Sequence, residues 1–305
     1  MKDIKGIIMP ILTPFQEDGE LDEPMGCALA DFLIGAGVHA LFLLGSFGQG
    51  PVMRIDQRKR FAEVIIKHVC GRVPIVVHVG TADSYSTAEL GLHAKSAGCD
   101  AIAVVGPYYY SDHTEYEIME HFKEVGRRVE MPMLIYNNPP YSGYDITPPM
   151  MLRLKEQIPQ IFGTKLSADS LETALNYLNQ LPSDFSIFGL ASSLMPGALY
   201  GIRGTIVPPW VAFPELAVAL WRALEEKKLE EALQVQTKIN QLQTALRPLS
   251  RIYGRAVQCE SVRVRGFAVK KFPRWTTKPL SSNDREILVG AMRRAGLSVA
   301  VQLPS

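Results

Sequence analysis

Eight short apolar runs recur through the first two-thirds of the chain, and this repeat limits the possible folds more than any other feature. Segments of helical period separate the runs, such as residues 56–70, which place Phe61, Ile65 and Val69 on one face. Strands that alternate with helices predict a parallel sheet, and eight units spaced by about 25–35 residues predict a closed (β/α)8 barrel. The runs cover residues 6–12, 40–44, 74–79, 101–105, 133–136, 161–166, 185–189 and 204–207.

Capping residues mark where several of the helices should begin. We expect helices over residues 86–97 and 114–128, with Ser84 or Ser86 capping the first and Thr114 the second. Thr147 before Pro148 is a third cap. The alternative fold is a doubly wound open sheet, but no GxGxxG motif follows the first run. The eight units therefore favour the closed barrel.

The pattern changes after residue 207, where no further strand is predicted. Residues 213–224 are predicted to form the last barrel helix. Helices are then expected over residues 229–253, 257–271 and 283–295. No Ser/Gly-rich linker separates them from the barrel. We therefore predict a barrel of residues 1–225 and a helical extension of residues 226–305 that packs on it.

Composition argues against several classes of function. The chain has 305 residues, 47% apolar and 21% charged, with a formal net charge of +1 and no block of Lys or Arg, which argues against nucleic acid or a membrane as the main partner. No apolar run is long enough to cross a bilayer, and the N-terminus lacks a signal-peptide core. The four cysteines are scattered, and the six histidines lack metal-ligand spacing. We expect a cytoplasmic protein without a metal site.

Lys165 is the residue of greatest chemical interest. It lies near the end of a short apolar run that is predicted to be a buried strand. A charge is costly there, and a lysine buried without a partner loses its proton more readily. A neutral amine attacks ketones, so Lys165 is a candidate Schiff-base residue. The alternative is a lysine that ends an edge strand and extends to water.

Catalytic groups of a parallel barrel lie at the carboxyl ends of its strands. The second predicted strand ends in a glycine-rich turn whose backbone N–H groups are suited to a small carboxylate. Three tyrosines follow the fourth strand, with a subunit contact as the alternative role. The motifs at the ends of strands two, four, five, six and seven are Gly45-Ser46-Phe47-Gly48-Gln49, Pro107-Tyr108-Tyr109, Tyr136-Asn137-Asn138-Pro139, Gly163-Thr164-Lys165 and Gly189.

These five motifs, in this order, resemble the pyruvate-dependent class I aldolases and lyases of the dihydrodipicolinate synthase and N-acetylneuraminate lyase family. The resemblance extends from about Gly6 to Arg294. It implies that Lys165 forms an imine with pyruvate or another 2-oxo acid, so that no separate cofactor is needed. It also implies a homotetramer built as a dimer of dimers.

The resemblance assigns further roles at the matching positions. Tyr136 would move protons at the imine, and Ser46 would link it to Tyr109, which the family takes from a neighbouring subunit. The backbone N–H groups of Ser46 and Phe47 would hold the pyruvate carboxylate. Gly189 and Ile206 would line the pyruvate site through their main chains.

Some positions depart from the family pattern. The synthases carry an arginine two residues after the proline of the Tyr-Asn-x-Pro motif, and Tyr141 stands there in this chain. Dihydrodipicolinate synthase activity is therefore not expected. The aromatic and apolar residues near the strand ends predict an acceptor pocket for an aldehyde that is neither highly charged nor heavily hydroxylated. The candidate pocket residues are Phe47, Tyr141, Tyr144, Leu190 and Trp210.

The reaction that this site favours is making or breaking a C–C bond between pyruvate and an aldehyde. The sequence leaves open a likeness to 2-keto-3-deoxy sugar acid aldolases and one to hydratase-aldolases that act on aromatic aldehydes. A first alternative is a dehydratase or hydratase that acts on a 2-oxo acid through the same imine. A second alternative is a non-catalytic 2-oxo acid sensor, although a sensor needs no proton relay.

Overall fold

The computed structural model describes residues 3–300, without the side chains of residues 208 and 209. Residues 1–2 and 301–305, which belong to the expected domain bounds, lie outside the described residues. Eight parallel strands close into a barrel in chain order, and β1 pairs with β8. The strands are β1 (Gly6–Pro10), β2 (Ala40–Leu43), β3 (Ile75–His78), β4 (Ala101–Val105), β5 (Met133–Asn137), β6 (Ile161–Leu166), β7 (Ser186–Phe188) and β8 (Gly204–Thr205).

Helices surround the barrel and continue beyond it. This arrangement confirms the predicted (β/α)8 barrel with C-terminal helices. Two short 3-10 turns cover Gly50–Val52 and Pro208–Ala212. The helices are α1 (Glu23–Gly35), α2 (Ile55–Val69), α3 (Ser84–Ala97), α4 (Glu115–Val129), α5 (Pro139–Ser142), α6 (Pro148–Gln157), α7 (Leu171–Gln180), α8 (Leu194–Tyr200), α9 (Pro214–Glu225), α10 (Leu229–Tyr253), α11 (Ala256–Arg263) and α12 (Ser282–Arg294).

The helix boundaries follow local capping chemistry. Thr114 caps α4 in a capping box with Glu117, and Thr147 is the N-cap of α6, as predicted. The prediction for α3 was wrong. Asp83 is the N-cap, because its carboxylate accepts from two backbone N–H groups of the first turn. The expected helix over residues 257–271 is also shorter, ending at Arg263.

Two apolar layers form the core, and strand alternation separates them. On β2, Phe42 faces the barrel interior with Ile8 of β1, while Leu41 and Leu43 face the helices. Phe188, the last residue of β7, belongs to the interior layer and is fully buried. A packed interior of this kind is typical of barrels that bind their ligands at the carboxyl ends of the strands.

The C-terminal helices pack on the barrel. α10 contacts α8 and α9 as well as α11 and α12. After α11 the chain returns to the β1 side, where Lys271 forms an antiparallel bridge with Phe15. The part of the chain that the structure describes has no helix long and apolar enough to cross a membrane.

Candidate active site

Lys165 lies on β6 and faces the barrel interior because of a register shift. Phe162 belongs to the interior layer, and strict alternation from Phe162 would turn Lys165 outward. The pairing of β5 with β6 shifts by one residue after Met133. The shift reverses the alternation, so Lys165 pairs with Tyr136 and both side chains point into the barrel.

The Lys165 amine lies against the face of Tyr136. Its Nζ is 3.7 Å from the centre of the phenol ring. The two residues are 5% and 6% exposed. Within residues 3–300 this Nζ has neither a hydrogen-bond acceptor nor an ion-pair partner. Lys165 lines a cavity, so its amine is accessible to a ligand bound there.

His78, at the end of β3, packs edge-on against Tyr136, with ring centres 5.8 Å apart and an interplanar angle of 85°. Its Nδ1 lies 3.2 Å from the Leu44 carbonyl oxygen, and its Nε2 is buried without a partner in the described residues. Burial lowers the pKa of His78 to about 3, helped by the nearby Arg58 guanidinium. The ring is therefore neutral near pH 7, with Nδ1–H donating to Leu44.

A cavity of about 290 Å³, here called the lysine cavity, opens at the carboxyl ends of β5 to β8. Its size suits a small molecule, and its mixed apolar and main-chain wall is typical of a ligand site. Ser167 and Asp169, just beyond β6, supply polar groups at its edge. The sequence-predicted residues that line it are Lys165, Tyr136, Tyr141, Gly189, Leu190 and Ile206.

The loop after β2 carries Ser46 and is held tightly on the barrel. The position of Gly50 requires a glycine, because a Cβ there would overlap the Leu44 carbonyl oxygen. Arg255, just before α11, donates from Nη1 to the Ser46 carbonyl oxygen at 2.6 Å. The C-terminal segment therefore fixes the position of this loop.

The Ser46 hydroxyl faces Asn138, not Tyr136. Asn138 Nδ2 lies 3.5 Å from Ser46 Oγ, at the limit of a hydrogen bond. In the described residues the structure shows no hydrogen bond from Ser46 to Tyr136. The expected proton relay between Ser46 and Tyr136 is therefore not formed in the single chain.

A second cavity of about 270 Å³ adjoins the lysine cavity, because Asn138 and Tyr141 line both. His78 and Ser46 lie in its wall, and the C-terminal segment contributes Arg255. The full wall is Ser46, Gln49, Pro51, Val52, His78, Val105, Tyr108, Asn138, Tyr141, Arg255 and Trp275.

Tyr109 lies outside both cavities. Its side chain is 84% exposed, its φ is 87°, and its ring meets that of Tyr110 edge-on at 5.1 Å. A positive φ is uncommon for a tyrosine, so the backbone of this loop is strained at Tyr109. A single chain does not bring Tyr109 to Lys165.

The expected aromatic acceptor pocket forms only in part. Phe47 is buried against Phe272, with ring centres 5.5 Å apart, and Trp210 is fully buried. Tyr144 donates its hydroxyl to the Pro107 carbonyl oxygen at 2.7 Å. None of Phe47, Trp210 and Tyr144 lines either cavity, so their expected side-chain role in the pocket needs correction. These aromatic rings instead pack against neighbouring segments, which removes their apolar surface from water.

Comparison with known proteins shows the family of this chain. Residues 3–293 match the dihydrodipicolinate synthetase family. The chain belongs to this family. It is a lyase, as the family match and the relatives named as aldolases and synthases indicate.

Relatives of this dihydrodipicolinate synthetase family member are named for different activities. A probable 2-dehydro-3-deoxy-D-pentonate aldolase of Escherichia coli K12, YjhH, is 35% identical over 79% of this chain and 81% of its own. A putative 2-dehydro-3-deoxy-D-gluconate aldolase of the same strain, YagE, is 34% identical over 74% and 76%. A 4-hydroxy-tetrahydrodipicolinate synthase of Nitrosomonas europaea is 28% identical over 96% and 99%.

Solved structures of family members have the same fold over nearly the whole chain. The crystal structure of Escherichia coli YagE in complex with pyruvate has a TM-score of 0.87 and 29% identity, covering 97% of this chain and 99% of its own. Dihydrodipicolinate synthase from Aquifex aeolicus has a TM-score of 0.88 and 25% identity, covering 98% and 100%.

Sequence reasoning missed two residues that the structure brings to the site. His78 ends a strand that was predicted only as an apolar run, and a histidine among valines was the available signal. Arg255 carries no such signal, because a single arginine before a predicted helix is unremarkable. Only the return of the C-terminal segment to the β2 loop reveals its position.

Proposed function

We propose that this family member is a class I aldolase that forms an imine between Lys165 and pyruvate. One observation carries the proposal: Lys165 is 5% exposed, and its Nζ lies over the Tyr136 ring, in a cavity at the carboxyl ends of the strands, without a carboxylate partner in residues 3–300. A buried amine that no acidic residue neutralises is suited to attack a ketone carbon. The pyruvate bound in YagE, a relative, supports the choice of 2-oxo acid.

The proposed reaction follows from the chemistry of an imine. The Lys165 amine adds to the carbonyl carbon of pyruvate, and water leaves as the protonated imine forms. The imine withdraws electrons, so the methyl carbon loses a proton and becomes an enamine carbon. That carbon attacks an aldehyde, or the reverse step releases one, and water then hydrolyses the imine. The protonated imine formed on Lys165 is the electron sink, so the proposed reaction needs no separate cofactor.

Tyr136 is the proposed acid and base for these proton transfers. Its ring lies on Nζ, and its side chain lines the lysine cavity. General acid–base catalysis requires a group within hydrogen-bond reach of the reacting atom, directly or through one water. The proposed carboxylate site is the pair of backbone N–H groups of Ser46 and Phe47, on the loop that Arg255 fixes.

We also propose a cytoplasmic homotetramer built as a dimer of dimers, in which Tyr109 completes a neighbouring site. The outward direction of Tyr109 supports this role, since a single chain leaves it 84% exposed. Size determination in solution across a dilution series tests the assembly. Loss of turnover in a folded monomer is the expected result.

Borohydride trapping tests the central proposal. With pyruvate present, reduction of the imine should leave a stable mass addition on Lys165, and the Lys165→Met variant should take none. Lys155→Met is a matched control, because Lys155 lies outside the lysine cavity, at the other end of β6, where it donates to the Ile161 carbonyl oxygen at 2.7 Å. The control should be labelled like the wild type. Absence of label in folded wild-type protein would refute the imine.

The class of acceptor needs a separate assay. Release of pyruvate, followed with a coupled dehydrogenase, distinguishes C–C cleavage from dehydration of a 2-oxo acid. Cleavage of 2-keto-3-deoxygluconate can then be compared with that of an arylidene-pyruvate. The names of YjhH and YagE favour the sugar acid, and a clear preference for the arylidene-pyruvate would overturn that choice.

A further inference from the structure

The segment that follows β7, residues 189–193 and here called the β7 loop, forms one side of the lysine cavity. Gly189, Leu190 and Ala191 all lie in the cavity wall. The strand that leads into this loop pairs with β6 beside Lys165. The position of the β7 loop therefore sets the width of the cavity on one side of the proposed nucleophile.

The Asp169 carboxylate, on the segment that follows Lys165, binds the N–H groups of the β7 loop. Its Oδ1 accepts hydrogen bonds from the backbone N–H groups of Ala191 and Ser192, at 2.7 and 3.3 Å. Its Oδ2 accepts from the Ser192 hydroxyl at 2.6 Å and from the Ser192 N–H at 3.2 Å. Hydrogen bonds to an ionised carboxylate are roughly twice as strong as those between neutral groups. Asp169 therefore ties the segment after the lysine to the opposite side of the cavity.

Two amide side chains of α10 bind the carbonyl groups of the same loop. Gln236 Nε2 donates to the Ala191 carbonyl oxygen at 3.1 Å, and Asn240 Nδ2 donates to the Ser192 carbonyl oxygen at 2.9 Å. Just before these bonds, Leu190 has a φ of 62°, which is uncommon for a leucine. Such a backbone conformation persists only where the surrounding contacts hold it.

The two halves of the β7 loop are held in different ways. Leu190 is 3% exposed and packs in the core, so packing fixes the first half. Beside Ser192 lies a third cavity of about 210 Å³, bounded by α10 and α11, with Asp169 also in its wall. Where open space adjoins a segment, neighbouring atoms do not block its displacement. The second half of the loop therefore depends on its hydrogen bonds.

We propose that Asp169 is a positioning residue, which holds the β7 loop where it forms a fixed wall for the 2-oxo acid bound to Lys165. This role presupposes the proposed aldolase function and adds a residue that acts on the reaction through the loop. Without the carboxylate, Ala191 and Ser192 can move towards the third cavity. The lysine cavity then widens, and pyruvate loses contacts on that side.

The pyruvate concentration that half-saturates borohydride trapping measures this effect. Asp169→Ala removes all four hydrogen bonds of the carboxylate, so this concentration should rise about tenfold or more. The label at saturating pyruvate should equal that of the wild type, because Lys165 is unchanged. In Asp169→Asn, Oδ1 can still accept from Ala191, and Nδ2 can donate to the Ser192 hydroxyl. This conservative variant should therefore raise the concentration less than about threefold.

Glu172→Ala is the matched control, because Glu172 is an exposed acid in the first turn of α7 and lines neither the lysine cavity nor the third cavity. It should trap pyruvate as the wild type does. A residue that only supports folding would change the label at saturation and the urea midpoint, but not the half-saturating concentration.

An unchanged half-saturating concentration in Asp169→Ala, folded by its urea transition, would overturn the proposal. An Asp169→Asn variant as impaired as Asp169→Ala would also overturn it, because the charge, and not the hydrogen bonds to the loop, would then matter. Absence of label on the wild type would instead refute the imine. The failure of this proposal is therefore distinguishable from the failure of the aldolase function.

Discussion

The candidate site contains two kinds of residue, those on strands and those on loops, and they differ in how completely one chain positions them. Lys165 and Tyr136 lie on neighbouring strands, 5% and 6% exposed, with the amine 3.7 Å from the ring centre. Tyr109 lies on the loop after β4, 84% exposed and outside both cavities. Strand pairing fixes Lys165 and Tyr136, while nothing in the described chain covers Tyr109.

This difference indicates that the strand residues and Tyr109 act in different steps of the reaction. The barrel alone supplies the nucleophile and the phenol, so imine formation should depend on one chain. Steps that require Tyr109 should depend on what lies against the loop. Substitutions of strand residues and of loop residues should therefore affect different steps of the reaction.

The largest effect is expected for Lys165→Met. Methionine keeps a long apolar side chain but has no amine, so turnover should fall more than about 10⁴-fold. The variant should also gain about 1 kcal/mol in unfolding free energy, because an apolar side chain replaces a polar one at a position that is 5% exposed. Pyruvate-release kinetics and urea unfolding measure the two effects. Residual turnover within tenfold of the wild type would show that the chemistry lies elsewhere.

The next effect concerns Tyr136→Phe, which removes only the hydroxyl. The ring contacts with Lys165 and His78 should persist, so the protein should fold and trap pyruvate. Turnover should fall about 10²–10⁴-fold, the usual contribution of general acid–base catalysis. Single-turnover kinetics separate imine formation from later steps. A variant that loses trapping and turnover equally would indicate that Tyr136 only supports the lysine.

The sequence predicted the strand residues well because their signals are local and periodic. Apolar runs located all eight strands, and Lys165 stood out as a charge within such a run. The direction of Lys165 was not predictable in this way. It depends on a register shift between β5 and β6, and no single run encodes a shift between two strands.

Contacts between distant segments were the part that the sequence could not show. Phe47 was expected in the acceptor pocket, but Phe272, more than two hundred residues later, packs on it. Arg255 reaches the Ser46 loop from the far end of the chain. Composition and spacing report which residues are apolar or charged, but they do not report which distant partner each one meets.

An intermediate effect is expected for Tyr109→Phe, with Tyr110→Phe as the control on the same exposed loop. The Tyr109 variant should lose about 10- to 100-fold in turnover, as expected when one proton-transfer partner is removed. A mixture of Tyr109→Phe and Lys165→Met subunits shows whether Tyr109 acts in a neighbouring site or in the site of its own chain. If Tyr109 serves a neighbouring site, equal mixing and reassembly should restore about a quarter of the sites, since each mixed pair has one complete site. No recovery after verified subunit exchange would place Tyr109 in its own site or outside catalysis.

The smallest effect concerns His78, and it is visible in stability. Its pKa is about 3 in the folded protein, against 6.5 as the ordinary value. As pH falls below about 6.5, the unfolded chain takes up a proton that the folded protein does not. Stability is therefore lost, by about 1.4 kcal/mol for each pH unit of that window. His78→Gln removes this proton, so its unfolding free energy should fall about 2 kcal/mol less than that of the wild type between pH 7 and pH 5.

Urea unfolding of both proteins at the two pH values measures the difference, and every other titrating group is common to both. His121→Gln offers a parallel comparison, because burial lowers the pKa of His121 to about 4 and the same sign applies. If the wild type and His78→Gln lose equal stability on acidification, His78 must have the same pKa in the folded protein and in the unfolded chain. The His78 imidazole would then be accessible to water. The strand residues of the site would in that case be less buried than the comparison with the exposed Tyr109 loop requires.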